Sequence, residues 1–416
     1  MITGIRTALS TGFRQNFWVG LLPFLFLPND FLGALGASTM GKIQLMDVIL
    51  VLTGIFWLLP FLLKEKKMKS LTRKTFWFFL YTLLTVILIK FKFDYVSDFK
   101  FRFSLFKFFK FGLYILFGLA VINSFKADDY PQYRQNILKI IVLICLVVFY
   151  NFSVGNLGEL SRTRDYFNEY DFLSYSSPNV IATALAIFGA SCIPYLFTKM
   201  NKWKISIILL IFLALFLSGG RGALFAFLFA LGFYAVRYLN LSSKIRILFI
   251  GVLALSLLYI FVPEVQFQVD RTLFPDQNFL SEHNAGVLGF DDGKRISGVI
   301  WSFPKWLDRP FFGYGFFHRG GLSNLESWGS HNFYLQMLLE LGAVGVLLLI
   351  IAIREVNKGI RRVRFEGFVE PSKSMQVALM AAFIGGLSGE YYYGSEALMA
   401  LLIVIAPVAM TQSSDT

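Results

Sequence analysis

An all-helical, polytopic membrane protein of about twelve spans is the fold class that the sequence predicts. Three observations predict it. Of the 416 residues, 56% are hydrophobic and only 16% charged, below the roughly one quarter that soluble domains carry. The apolar residues, 48 Phe among them, recur in runs of spanning length along most of the chain rather than in one anchor. The polar residues between those runs fall into short basic clusters and two longer stretches of mixed charge.

Taken in order, the runs cover residues 17–37, 43–63, 75–92, 103–124, 137–156, 178–198, 205–220, 222–240, 245–262, 331–353, 374–391 and 395–411. The first follows a weakly basic leader (Arg6, Arg14) and ends near Ala34-Leu35-Gly36 as a cleaved signal would, but Asp30 and the run's length favour a span. The seventh is short and broken by Ser218, Gly219, Gly220 and Arg221, the pattern of a tilted or interrupted helix. Residues 1–416 thus read as a single integral membrane domain.

Basic residues close to a span resist translocation and so orient it. With the N-terminus in the cytoplasm, the inner loops, chiefly 64–74, 199–204, 237–246 and 354–373, collect 23 of the 39 Lys and Arg but only 7 of the 26 acidic residues. Both termini are then expected in the cytoplasm. The net charge of +13 is a topology signal in this setting, which argues against a nucleic-acid partner. The long outer loops are 157–177 and, larger, 263–330. The segment 90–110, where Phe alternates with Lys90, Lys92, Lys100, Arg102, Lys107 and Lys110, also falls outside. It reads as an interfacial helix or as the snorkelling ends of the third and fourth spans, or as a basic patch for an anionic lipid headgroup or glycan. The two cysteines, Cys145 and Cys192, sit inside apolar runs and suggest neither a disulfide framework nor a thiolate cage.

Three polar sets lie on the outer face. In Ser218-Gly219-Gly220-Arg221-Gly222-Ala223, an arginine among glycines can bring its guanidinium and nearby backbone N–H groups to a phosphate; the plainer reading is a tight turn with a snorkelling Arg. In the large loop, Asp291-Asp292-Gly293-Lys294-Arg295 precedes apolar residues at helical spacing from 296 to 307, a surface helix that Pro304 is expected to kink or break, and then Asp308 to Gly315. Solvated charge on a structural helix is the plainer reading there. The third set is Ser330-His331-Asn332 opening the tenth span, followed by Glu340, Gly342 and Gly345. A histidine in the first turn of a helix is kept neutral by the dipole and can serve as a general base, or it can simply hold a structural hydrogen bond. Glu340 is a functional candidate as an intramembrane carboxylate, or an internal partner that packs the bundle. No metal-ligand spacing is present, and the loop 38–42 has no acidic residue to hold a divalent ion, so neither metal nor cofactor is expected.

From 178 to 345 the chain resembles the O-antigen ligase and O-antigen polymerase superfamily of bacterial envelope enzymes. The resemblance rests on Pro178-Asn179, the Ser-x-x-Arg-Gly-Ala at Ser218 to Ala223, Arg295 with the aromatic helix and the Pro310 to Gly315 turn, and His331-Asn332 followed nine residues later by Gly342-x-x-Gly345. Family members commonly carry a second Ser where Gly220 stands. The resemblance implies a GT-C-like membrane glycosyltransferase of the inner membrane that moves a glycan from undecaprenyl diphosphate to an acceptor hydroxyl on the periplasmic side, with inversion and without metal. Arg221 and Arg295 would stabilise the diphosphate and His331 would act as base, with Ser218, Lys294, Asn332 and Asn179 binding substrate and Glu340 in support. Apolar cavities between spans would take the polyprenyl tail. The acceptor would be lipid A core for a ligase, or a second lipid-linked glycan for a polymerase, with a chain-length regulator as a further partner. A twelve-span secondary transporter or lipid-linked glycan flippase is the alternative; the short inner loop 198–204 and the absence of an internal repeat weigh against it.

Overall fold

The helices stand where the apolar runs predict them. The computed structural model describes residues 26, 50–51, 70–92, 98–154, 178–198, 200–218, 220–245, 256, 259–260, 302–316, 332–387 and 396–411. In these, α1 spans Ser70–Lys92, α2 Asp98–Ser124, α3 Tyr130–Val154, α4 Pro178–Phe197, α5 Lys202–Leu217, α6 Arg221–Tyr238, α7 Phe333–Phe365, α8 Val369–Leu387 and α9 Glu396–Val404, with 3₁₀ turns at Ala127–Asp129 and Ala406–Thr411. No strand occurs among the described residues. Ser104–Ile122, Ala127–Tyr150, Val180–Phe197 and Phe333–Phe365 are long and apolar enough to cross a membrane, and Gly222–Tyr238 and Glu396–Met410 are shorter apolar helices. The first two expected spans, most of the ninth, the loop 157–177 and most of 263–330 lie outside the described residues.

Helix α4 is the centre of the bundle because its sequence is apolar on every face and rich in alanine, so neighbours can surround it closely. Ala182, Ala184, Ala186 and Ala190 are fully buried. Helices α3, α5, α6, α8 and α9 pack on it. On the far side α7 packs against α1 and α8, and α2 against α1 and α9.

Contacts at the helix ends give the directions. Tyr238 at the end of α6 donates to Gln376 near the start of α8, so these two run antiparallel. Helices α7 and α8 do likewise: Tyr334 donates to the Phe383 carbonyl at 3.0 Å, and Ser372 to that of Ile360 at 3.2 Å. Helices α4 and α6 run parallel, with Gly220 beside Ala182 at their starts and Phe197 against Tyr234 at their ends. The starts of α4, α6 and α7 therefore share one end of the bundle. At the other end the basic residues find partners: Lys74 and Lys358 bind Glu355 at 2.5 and 2.9 Å. Arg134 binds Glu370 at 2.6 Å and lies 3.9 Å from the centroid of the Tyr195 ring.

One expectation needs correcting. The tenth span, expected at 331–353, is a helix that starts at Phe333 and continues to Phe365. It is broken inside at Gly342 (φ 63°, ψ −171°), which hydropathy cannot register. Residues 302–308 are helical, Pro304 among them, and 296–301, against which a kink at Pro304 would show, lie outside the described residues. The Phe/Lys-rich stretch is helical on both sides of 93–97, consistent with its reading as the ends of the third and fourth runs, and Lys110 within it is buried, with Nζ 5.8 Å from the centroid of the Tyr114 ring.

Candidate functional site

At Gly342 the chain leaves the helical wells, which frees N–H and C=O groups in an apolar setting where each unsatisfied group is costly. The turn at 310–316 in the large loop takes them up. Ala343 N donates to the Pro310 carbonyl at 2.7 Å and Val344 N to that of Phe311 at 3.1 Å, while Tyr314 N and Gly315 N donate to the Leu339 and Glu340 carbonyls at 2.8 and 2.7 Å. The Leu341 carbonyl accepts from the Tyr81 hydroxyl of α1 at 2.7 Å. Phe316 N reaches Thr85 Oγ1, also on α1, at 3.3 Å. The segment 310–316 is thus sewn into the break of α7 and tied to α1.

Glycine is required on both sides of this junction. A Cβ on Gly342 would stand 2.3 Å from the Phe311 carbonyl oxygen, and one on Gly313 (φ 63°) would stand 2.6 Å from the carbonyl of Glu340. A Cβ on Gly345 would stand 2.3 Å from Leu341 Cβ. The Pro310 to Gly315 turn and the Gly342-x-x-Gly345 pattern, noted separately in the sequence, are therefore two halves of one interlock. Sequence reasoning missed this joining; only the glycines in both motifs hinted at it.

Beside the interlock is the start of α7. Asn332 is its N-cap: Oδ1 accepts from Tyr334 N at 3.0 Å and Leu335 N at 3.2 Å, and Nδ2 donates to the Leu387 carbonyl at 3.3 Å. His331 therefore precedes the cap rather than standing in the first turn as expected, and lies outside the described residues. Glu340 is fully buried and accepts from Gln336 Nε2 one turn earlier, in keeping with its packing role.

The second set of predicted residues forms the turn between α5 and α6. Ser218 is buried; its hydroxyl donates to the Leu215 carbonyl at 2.7 Å and accepts from Gly220 N at 3.3 Å. That hydroxyl shapes the turn. Gly220 is the N-cap residue of α6, and a Cβ there would come within 2.8 Å of Ala182 Cβ, so glycine lets α6 start close against α4. Arg221 is the first residue of α6, and Asn179 the second of α4; the side chains of both, and Lys294 and Arg295 altogether, lie outside the described residues.

Three helix starts at one end present backbone N–H groups and the positive ends of three dipoles, an arrangement that favours an anion. Among the described residues no group of three His, Cys, Asp or Glu side chains is placed to hold a metal ion.

Two family models match the chain. The model described as O-antigen ligase matches residues 206–350, from α5 through the large loop to just beyond the interlock. The model described as O-antigen polysaccharide polymerase Wzy matches residues 120–268, from the end of α2 through α6. Both include the Ser218 to Arg221 turn. No curated protein matches the chain.

Proposed function

Because the chain belongs to the O-antigen ligase and polymerase superfamily, we propose that it transfers a glycan from undecaprenyl diphosphate to an acceptor hydroxyl on the periplasmic side of the inner membrane. The observation that carries this reading is that α4, α6 and α7 start at the same end of the bundle, with the 310–316 segment of the large loop docked into α7. The acceptor oxygen attacks the anomeric carbon, the bond from that carbon to the diphosphate oxygen breaks, and the hydroxyl proton passes to His331. Arg221 and Arg295 take up the charge that grows on the departing diphosphate, which needs no metal if the guanidinium forks are held in a dry site. Direct displacement inverts the anomeric centre. The interlock supports this chemistry by anchoring the segment after Arg295 to the helix that His331 precedes. Ser218 and Asn332 act through the backbone turns they hold, rather than by touching substrate.

Purified protein supplied with the lipid-linked donor tests the reading and separates its two acceptors. Transfer to lipid A core marks a ligase, and transfer to a second lipid-linked glycan a polymerase. Arg221→Ala, Arg295→Ala and His331→Ala are each expected to cut transfer by about 30- to 1000-fold while folding normally. Near-parent transfer by all three variants overturns the assignment.

A further inference from the structure

A cavity of about 560 Å³ runs inside the bundle between α1, α2, α6, α7, α8 and α9, within the usual size of a ligand pocket. It follows α7 from Phe333 and Tyr334 at one end to Arg361 at the other, and its wall is aliphatic and aromatic along most of that length. Polar side chains are concentrated at the far end, where Arg237, Asn357, Arg361 and Gln376 line it. Among the described residues no carboxylate lines it. Two carboxylates of this end are engaged by other cations: Glu355 by Lys74 and Lys358, and Glu370 by Arg134. Among the described residues Arg237 meets the rings of Phe233 and Tyr238, at 5.6 and 5.8 Å, contacts that leave its N–H donors available. Past the break at Gly342, α7 runs about a further 28 Å by helical rise to Arg361, close to the roughly 30 Å hydrocarbon thickness. The arginines therefore stand at headgroup level, on the side opposite the start of α7.

We propose that this cavity binds an anionic membrane lipid whose phosphate is held by Arg237 and Arg361 and whose acyl chain lies along α7. Charge complementarity selects this occupant. A zwitterionic lipid would bring a cationic headgroup beside the two guanidinium groups along with its phosphate, and inorganic phosphate would leave the apolar wall unused. A polyprenyl tail entering from the Phe333 end would meet the wall but not the arginines. The site stands at the opposite end from the proposed glycan transfer and does not depend on that reading.

The test is native mass spectrometry of the purified full chain, stripped of lipid in detergent and titrated with phosphatidylglycerol or with phosphatidylcholine of the same chains. One phosphatidylglycerol is expected to bind in clear preference. Each arginine near the headgroup contributes about fivefold, so Arg237→Gln with Arg361→Gln should weaken phosphatidylglycerol about 30-fold and leave phosphatidylcholine unchanged. The single variants, each expected about fivefold weaker, keep the test decisive if the double variant fails to fold. Arg364→Gln removes an exposed charge that does not line the cavity and should change nothing, whereas Ala352→Trp, in the wall, should abolish binding. Equal binding of the two lipids, or undiminished phosphatidylglycerol binding by the arginine variants, overturns the proposal. So does displacement of phosphatidylglycerol by inorganic phosphate or by uncharged undecaprenol. Loss of glycan transfer with lipid binding intact would count against the transferase reading alone.

Discussion

Replacing Gly342 by alanine perturbs the interlock at its tightest point. The backbone there (φ 63°, ψ −171°) is one that glycine alone adopts readily, and another residue meets about 1 to 3 kcal/mol of strain. The new Cβ would also lie 2.3 Å from the Phe311 carbonyl oxygen and 2.6 Å from Phe312 N. These are backbone atoms, which cannot swing aside as a side chain can. The 310–315 turn would have to withdraw, and the bonds from Ala343 N to Pro310 and from Val344 N to Phe311 would lengthen or break. Each is worth about 0.5 to 1.5 kcal/mol net, and more when the freed group stays buried. Strain and lost bonds together amount to about 2 to 6 kcal/mol. Thermal unfolding in detergent measures the loss, and tryptic cleavage after Lys305 reports undocking of the turn separately. Gly232→Ala is the control, since a Cβ there meets nothing within 4 Å and alanine is the better helix former. If Gly342→Ala melts like that control and resists trypsin like the parent, the interlock does not bear on stability and the reasoning fails.

Other outcomes follow from the same geometry. Gly220→Ser places a Cβ against Ala182 and should destabilise by about 1 to 3 kcal/mol through overpacking, with Ala182→Gly restoring much of the loss; melting of the single and double variants checks it. Asn332→Ala removes the α7 N-cap and should cost about 0.5 to 2 kcal/mol, while Asn332→Asp, which keeps the acceptor oxygen, should cost less. Glu340→Gln retains an oxygen to accept from Gln336 and should fold and still transfer glycan; a large drop in rate with normal folding would give that carboxylate a chemical role. Finally, EDTA should leave glycan transfer intact, and recovery of a lost rate on adding magnesium would refute the metal-free mechanism.

Much of the fold is legible from the chain because the tendency to bury apolar surface is written locally. Runs of apolar residues become helices from α1 to α9, the broken seventh run becomes the Ser218 to Arg221 turn, and the Ala-rich run at 178–198 becomes the buried centre. The candidate site was legible as motifs rather than as an arrangement. Ser218 and Asn332, marked as substrate-binding, turn out to hold backbone turns, because a short polar side chain at a helix end is drawn to the unsatisfied backbone groups there. What tertiary structure alone decided is that Gly342 breaks α7 and that Pro310 to Gly315 fills the break. A glycine at this position reads equally well as a close packing contact in a continuous helix. The choice depends on hydrogen-bond partners about 30 residues earlier in the chain, and in an apolar interior a break in a helix is stable only when such partners arrive to satisfy the backbone groups it exposes.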